Sequence, residues 1–150
     1  MPTSYSYRTS AHWTEHKSGI IEGENIPRTI NFAAPPEFGG DPGLWTPEHL
    51  LLAAVSTCYV ATLRGVADAS KAEFHALELA VEGTIEKQPE GGFRFTRILL
   101  RPVVTIEKEE ERERMGRLLE KAERVCLVSR SLACATTLET KIVVQQHVGA

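Results

Sequence analysis

Three cysteines, at positions 58, 126 and 134, are the side chains in this 150-residue sequence best suited to redox or nucleophilic chemistry. A thiolate is the reactive form of cysteine, and it can be oxidised to a sulfenic acid that condenses with a second thiol. An odd number of cysteines makes a poor disulfide framework, and no CxxC pair offers the spacing of a zinc site. The thiols are therefore expected to be free, and either reactive or simply buried.

Cys58 lies ten residues after Glu48, midway along a predicted apolar helix. A cysteine in such a helix commonly packs as a small hydrophobe, and burial raises the pKa of its thiol. A functional Cys58 therefore needs a cation or a hydrogen-bond donor beside its sulfur. Glu48 cannot be that neighbour within the helix, because ten helical residues span about 15 Å. Joint action of the two residues requires a contact made by the fold or by a dimer.

Cys126 directly follows a predicted amphipathic helix and precedes a short one. Amides at the start of a helix stabilise a thiolate, so this environment is expected to be the more reactive of the two. Cys134 lies among Ala133, Ala135 and Thr136. It is interpreted as a packed residue, with the capture of oxidised Cys126 as the alternative.

The spacing of the five histidines in the sequence does not match that of a metal site. His12 and His16 are about 13 Å apart if their segment is extended, too far to bind one ion. His49, His75 and His147 have no partner at ligand spacing and are interpreted as surface or hydrogen-bonded residues. The GxSxG, P-loop and GxGxxG motifs are absent, which excludes the common hydrolase and nucleotide-binding signatures.

Three short alternating segments, within residues 4–14, 19–23 and 28–32, predict an N-terminal β-meander. The following residues, 33–45, are rich in glycine and proline and predict an ordered surface loop. Thr46-Pro47-Glu48 then has the chemistry of a helix start, with a hydroxyl cap, a proline at the first position and a carboxylate in the first turn. This helix is expected to run to about residue 69.

The uncharged run from Leu50 to Leu63 is 14 residues long and apolar on every side. Crossing a bilayer needs about 20 such residues, so the run predicts a buried core helix. One chain of this size could hardly cover the helix all round. A partner subunit, and hence an intertwined homodimer, is therefore expected.

The second half alternates strands and helices. Residues 73–87 and 93–106 predict a β-hairpin across a turn at residues 89–92. An amphipathic helix, a short helix at residues 129–135 and a final strand at residues 140–148 should follow. The apolar face of the amphipathic helix comprises Met115, Leu118, Leu119, Ala122 and Val125. Apart from the short helix, the predicted order of elements is β-β-β-α-β-β-α-β.

Chain length and net charge limit the number of domains and the classes of partner that this chain is expected to have. A chain of 150 residues is the size of a single domain, here residues 1–150, and can bury a sizeable core without metal or disulfides. A formal net charge of −3 without basic clusters argues against nucleic acid or an anionic membrane as a partner. The first residues lack a signal-peptide pattern, so a cytoplasmic location is expected.

Two segments, Thr46-Pro47-Glu48-His49-Leu50-Leu51-Leu52-Ala53-Ala54 leading to Cys58 and Val125-Cys126-Leu127-Val128-Ser129, occur in this order and spacing. With the apolar helix, hairpin and acidic helix around them, they make the chain resemble the OsmC/Ohr family of osmotically inducible and organic hydroperoxide resistance proteins. The resemblance covers nearly the whole chain. It implies an OsmC-like α+β fold and an intertwined homodimer with two active sites at its interface.

The resemblance also implies a thiol-dependent peroxidase that reduces organic hydroperoxides without metal, flavin or other cofactor. Cys58 then corresponds to the peroxidatic cysteine and Cys126 to the resolving one, and Glu48 orients a catalytic arginine. A Cys58 sulfenic acid would condense with Cys126 to a disulfide, which an external thiol or dithiol would reduce.

The family's arginine comes from the N-terminal meander, but its Gly-Arg-Asp type context is replaced here by His16-Lys17-Ser18-Gly19. Arg28 is the first candidate for this role and Lys17 the second, because an ammonium lacks the guanidinium fork. Leu127 replaces a common proline, Arg130 replaces a common asparagine, and Cys134 is additional. These departures indicate a looser OsmC-like group within the family.

The leading hypothesis is thus an antioxidant peroxidase for organic or lipid hydroperoxides. The alternatives are a non-enzymatic redox sensor or small-molecule binding protein, and a structural or interaction role in which both cysteines are core residues. A site lined by Leu, Val, Ala and Tyr59 should be apolar and favour bulky organic peroxides over hydrogen peroxide.

Overall fold

A computed structural model describes residues 3–145 of the chain. Its contacts divide the chain into two compact units, Met1–Leu51 and Leu52–Ala150, which are described separately. The structure contains helices together with two β-sheets, which confirms the predicted α+β class. The expectation of one domain over residues 1–150 stays a prediction.

The first unit contains the predicted β-meander. Strands β1 (Thr9–Glu15), β2 (Ser18–Gly23) and β3 (Ile26–Ala33) form an antiparallel sheet in that order. The two connecting turns use positive φ angles at His16 and Asn25. The predicted loop follows, interrupted by one 3₁₀ turn at Pro36–Phe38. The meander prediction is therefore confirmed.

Helix α1 (Pro47–Ala69) begins and ends where the sequence predicts. The buried Thr46 caps it, since its Oγ1 atom accepts a hydrogen bond from the backbone amide of His49 at 3.1 Å. The imidazole Nδ1 of His49 lies 2.7 Å from the same oxygen. Local chemistry at Thr46 therefore determines where the helix starts.

Within the second unit, α1 buries a stripe of residues spaced one turn apart: Val55, Tyr59, Leu63 and Ala67. They join the main hydrophobic core with residues of the following sheet. The other side is not covered, and Val60 is 42% exposed. Among the described residues, α1 is the one helix long and apolar enough to cross a membrane, a test that core helices also pass. The expectation of cover all round is therefore not met within one chain.

The second unit is built on strand β5 (Phe93–Ile106), which pairs antiparallel with β4 (Ala76–Lys87) over twelve residue pairs. The predicted hairpin is confirmed, and its turn places Gly91 and Gly92 at positive φ, where residues with a Cβ are strained. The opposite edge of β5 pairs in parallel with two short strands, β6 (Thr136–Leu138) and β7 (Lys141–Val144).

The region after residue 125 differs from the prediction. The short helix α3 spans Leu127–Arg130, earlier than the predicted 129–135, and β6 was not predicted. A strand of three residues is too short to show alternation, and it forms because the edge of β5 is free to pair with it. The final strand ends at Val144, and the predicted residues 146–148, with His147, lie outside the described residues.

Helix α2 (Arg112–Val125) packs its predicted apolar face into the core, except that Val125 is exposed at its end. The buried hydroxyl of Tyr59 donates a hydrogen bond to the carbonyl of Leu119 at 2.9 Å. Burial, and then the charges of Glu123 and Cys126, raises the pKa of Tyr59, so that the phenol keeps its proton. This bond ties α1 to α2.

Replacing Tyr59 by phenylalanine should lower the free energy of unfolding by about 1 kcal/mol, because a buried hydrogen bond is lost at nearly constant volume. Urea denaturation measures this. The control is Tyr7→Phe at a residue that is 90% exposed, and it should change stability by less than about 0.5 kcal/mol. Equal effects of the two variants would contradict the assigned role of the Tyr59 bond.

Candidate functional site

The second unit brings Cys58 and Cys126 together. Cys58 lies midway along α1, and Cys126 immediately precedes α3. The Cys126 side chain lies close enough to Cys58 to act on the pKa of its thiol, and both thiols are free. Two cysteines separated by 68 positions in the sequence thus share one site.

The pKa of the half-buried Cys58 thiol is lowered from its ordinary value. Burial raises it, but this is outweighed by the backbone amide of Val128, the side chains of Cys126 and Thr62, and the amide of Leu127. Both amides belong to the first turn of α3, where N–H groups have no intrahelical partner. Hydrogen-bond donors, one of the two alternatives required for a reactive Cys58, therefore face its sulfur.

Thr62 contributes a hydroxyl from α1 itself. It lies one turn after Cys58, and its Oγ1 atom is 3.9 Å from the Cys58 sulfur. Other hydroxyls of this helix bond backwards to backbone carbonyls instead: Thr57 donates to the carbonyl of Ala53 at 2.8 Å. The Thr62 hydroxyl is thus directed to the thiol.

The pKa of the Cys126 thiol is shifted in the opposite direction. Its side chain is fully buried, and burial raises the pKa of its thiol. The amide and hydroxyl of Ser129 lower this pKa, while Cys58 raises it further, and the net pKa stays above the ordinary value. The expectation that Cys126 has the more reactive environment is therefore wrong. The amides at the start of α3 act on Cys58, which the sequence separates from them.

The two thiols differ in the direction of their pKa shifts. A thiol of lowered pKa is the one that ionises first, and a thiol of raised pKa keeps its proton and acts as donor. Cys58 is therefore the thiol of the pair that ionises more readily, and it is also the more accessible sulfur.

The other predicted site residues lie in the first unit. Glu48 occupies the first turn of α1, where its Oε2 atom is buried and has no hydrogen-bond partner within residues 3–145. Arg28 is exposed on β3. The ammonium of Lys17, the second candidate, donates a hydrogen bond to the carbonyl of Phe38 at 2.6 Å. The roles assigned to Glu48 and Arg28 stay predictions.

The remaining cysteine and histidines do not join this site. Cys134 is half-buried and packs against the hydrophobic core. His12 lies 3.6 Å from Glu22, and His75 lies 3.8 Å from Glu107. No group of three or more His, Cys, Asp or Glu side chains is arranged for a metal ion in the described part of the chain.

An apolar groove of about 530 Å³ runs along the uncovered side of α1 in the second unit. Val60, Phe74, Leu77 and Leu79 supply most of its apolar wall, and Arg64 stacks on the Phe74 ring at 4.6 Å. Tyr59 does not line it, contrary to the sequence-based expectation, because its ring points into the core toward α2. Neighbouring residues of α1 thus face different ways: Tyr59 packs into the core and Val60 lines the groove.

Sequence reasoning missed the donors at Cys58. Thr62 was detectable, since a hydroxyl four residues after a helical cysteine lies on the same helix face. The amides of Leu127 and Val128 are backbone groups, so the pattern of side chains in the sequence does not reveal them. They approach Cys58 because of where the fold places the start of α3.

Comparison with known proteins identifies a family and individual proteins that this chain resembles. A family model described as OsmC-like protein matches residues 39–141. The chain is 30% identical over 134 residues to the uncharacterized protein YmaD of Bacillus subtilis (strain 168), an overlap of 85% of this chain and 87% of YmaD. An organic hydroperoxide resistance protein OsmC from Legionella pneumophila has a similar structure, with a TM-score of 0.76 and 25% identity over 95% of this chain and 100% of that chain.

An OsmC-like protein of unknown function from Vibrio cholerae matches with a TM-score of 0.80 and 16% identity, covering 91% of this chain and 99% of that one. The family match runs through Glu48, Cys58 and Cys126, the residues on which the resemblance was based. The chain therefore belongs to the OsmC-like protein family.

Proposed function

We propose that this protein is a thiol-dependent peroxidase that reduces organic hydroperoxides through Cys58 and Cys126. The observation that carries the proposal is the proximity of the two thiols, with the pKa of the accessible one lowered and that of the buried one raised. An inert pair of core cysteines would have raised pKa values on both sulfurs. Membership of a family that includes organic hydroperoxide resistance proteins supports the same chemistry.

The first step is oxidation of Cys58. Its thiolate attacks the distal oxygen of the hydroperoxide, an S–O bond forms, and the O–O bond breaks. The alkoxide takes a proton from solvent and leaves as an alcohol, and Cys58 becomes a sulfenic acid. The amides of Leu127 and Val128 keep the attacking sulfur ionised.

The second step uses Cys126. Its sulfur attacks the Cys58 sulfur, hydroxide leaves, and the proton of the Cys126 thiol converts it to water. The resulting disulfide is returned to two thiols by an external thiol or dithiol. A disulfide that must be reduced in each cycle suits a reducing compartment such as the cytoplasm.

Glu48 has the place that the family resemblance assigns to the carboxylate orienting an arginine. Its buried Oε2 atom lacks a donor within residues 3–145. A guanidinium would satisfy this oxygen better than an ammonium, because it can donate to two acceptors at once. Arg28 is our candidate, because it forms no ion pair among residues 3–145, while the Lys17 ammonium already donates a hydrogen bond to a carbonyl.

We further propose that the active form is a homodimer in which a second copy covers the groove along α1. The exposed side of α1 and the adjoining Phe74, Leu77 and Leu79 present a continuous apolar surface without a cover in one chain. Exposed apolar patches of this kind mark protein interfaces. The sequence-based expectation of a helix covered on all sides would then be met by two subunits together.

Cys58→Ser should abolish the consumption of tert-butyl hydroperoxide, since the nucleophile is lost. Cys126→Ser should be oxidised once and then retain a sulfenic acid, which dimedone traps and mass spectrometry detects. Cys134→Ser is the control and should keep wild-type turnover with dithiothreitol. Equal peroxide consumption by the wild type and Cys58→Ser would refute the peroxidase.

Alkylation of Cys58 by iodoacetamide should follow a titration whose midpoint lies below the ordinary thiol pKa of about 8.5. Because the folded-state pKa is lowered, the reaction persists above that midpoint and is lost as pH falls through it. Thr62→Val should move the midpoint upward by removing one donor, and Thr57→Val, whose hydroxyl bonds to Ala53, should not move it. A wild-type midpoint at or above 8.5 would favour an unactivated thiol.

Sedimentation should show a dimer for the wild type and a monomer for Val60→Glu, because a buried unpaired charge in the groove disfavours association. Val143→Glu changes an equally apolar, 37% exposed side chain on β7 and should remain dimeric. A monomeric wild type at micromolar concentration would exclude the proposed interface.

A further inference from the structure

The segment that carries Cys126 is tied together at its two ends. Glu123 lies in the last turn of α2, three residues before Cys126, and Thr136 is the first residue of β6. The Thr136 hydroxyl donates a hydrogen bond to the Oε1 atom of Glu123 at 2.6 Å, and both side chains are half-buried. This bond, here called the clasp, closes the intervening residues 124–135 into a loop.

The clasp joins two elements that other contacts hold in place. On α2, Glu123 lies one turn after Leu119, whose carbonyl accepts the hydrogen bond from Tyr59 of α1. On the other side, Thr136 begins the parallel pairing with Ile98 of β5. The two ends of the loop are therefore connected to α1 and to the sheet of the second unit.

Inside the loop, the backbone hydrogen bonds are local. The amide of Arg130 donates to the carbonyl of Cys126 at 3.0 Å, and the amide of Leu132 donates to the carbonyl of Ser129 at 3.2 Å. The side chains of Val128 and Leu132 pack, partly buried, against the hydrophobic core. Local bonds fix the shape of the loop, so its distance from α1 depends on this packing and on its two ends.

The loop carries the groups that the site receives from outside α1. These are the Cys126 thiol and the amides of Leu127 and Val128, which face the Cys58 sulfur. A hydrogen bond to a carboxylate is stronger than one between neutral groups, so the clasp is a strong restraint on this loop. Opening of the loop would withdraw all three groups from Cys58 together.

We propose that Glu123 and Thr136 are positioning residues for disulfide formation, because their hydrogen bond holds residues 124–135 so that the Cys126 thiol stays beside Cys58. The inference rests on the proposed function for the reaction between the two thiols. It adds the residues that set the effective concentration of one thiol at the other.

Disulfide formation is sensitive to such positioning. In this step the Cys126 sulfur attacks the sulfur of the Cys58 sulfenic acid, the S–S bond forms, the S–O bond breaks, and water leaves with the Cys126 proton. A reaction within one molecule is favoured when the reacting atoms are already held together. A loop that is open part of the time therefore lowers the yield of disulfide in proportion to the fraction of molecules in which it is closed.

The test measures positioning without peroxide, in a Cys134→Ser background. The protein is equilibrated with glutathione, where one protein dithiol and one glutathione disulfide give one protein disulfide and two glutathione thiols. Alkylation after acid quenching and mass spectrometry gives the equilibrium constant. Thr136→Val removes the clasp at nearly constant volume and should lower this constant about ten-fold, the scale of one hydrogen bond to a charged group.

Thr137→Val is the matched control, because Thr137 is the next residue of β6 and is exposed. It should stay within two-fold of the parent, and Thr136→Ser, which keeps a hydroxyl, should retain most of the equilibrium constant. Glu123→Ala should have the same effect as Thr136→Val. The double variant should be no worse than either single variant, because both substitutions remove one and the same bond.

A second readout separates positioning from a merely structural role. A bond that stabilises the dithiol and disulfide forms equally lowers the free energy of unfolding of both and leaves the equilibrium between them unchanged. The clasp should instead matter more to the disulfide form, because the dithiol form can relax by opening the loop. Urea denaturation of Thr136→Val should therefore show a larger loss of stability in the disulfide form than in the dithiol form.

An equilibrium constant of Thr136→Val within two-fold of the parent, an equal loss in Thr137→Val, or additive losses in the double variant would overturn the proposal. These outcomes are distinct from a failure of the peroxidase. If hydroperoxide fails to oxidise Cys58 while the glutathione equilibria behave as described, the proposed function is wrong and the clasp stands. If peroxide turnover depends on Cys58 and Thr136→Val leaves the equilibrium unchanged, the peroxidase stands and the role of the clasp is wrong.

Discussion

The approach of two backbone amides to one sulfur is the interaction on which this site depends. Leu127 and Val128 offer these amides because they begin a helix and have no carbonyl of their own helix to bind. Cys58 meets them because Val55, Tyr59 and Leu63 fix the rotation of α1 against the core. Ordinary hydrophobic packing therefore sets the chemistry of the thiol, and a charged neighbour is not required for it in this part of the chain.

Burial separates the roles of two residues with the same side chain. Cys58 remains partly open to solvent and has four donors around its sulfur, whereas Cys126 is enclosed. The enclosed thiol retains its proton and can donate it toward its neighbour. In the proposed peroxidase, this difference in depth would distinguish the sulfur that meets the hydroperoxide from the sulfur that forms the disulfide.

Features that depend on residues close together in the sequence could be predicted from it. The start of α1 follows from Thr46 and Pro47, and the hairpin follows from alternation on both sides of Gly91 and Gly92. Cys58 and Cys126 were singled out by the family resemblance, and the fold brings their side chains into one site. Their redox roles stay a proposal. β6 and the donors around Cys58 were not predictable in this way, because they depend on a strand edge and on backbone groups supplied from distant positions.

The parallel pairing of β5 with β6 has a consequence for how the chain matures. Ile98 pairs with Thr136, and the segment between them contains α2, α3 and Cys126. Closing so long a segment costs conformational entropy, so this pairing should form later than the local β4–β5 hairpin. Until it does, α2 links Cys126 to α1 through the core and the Tyr59–Leu119 hydrogen bond. In the proposed peroxidase, the site around Cys58 and Cys126 would therefore be completed only as the last strands dock.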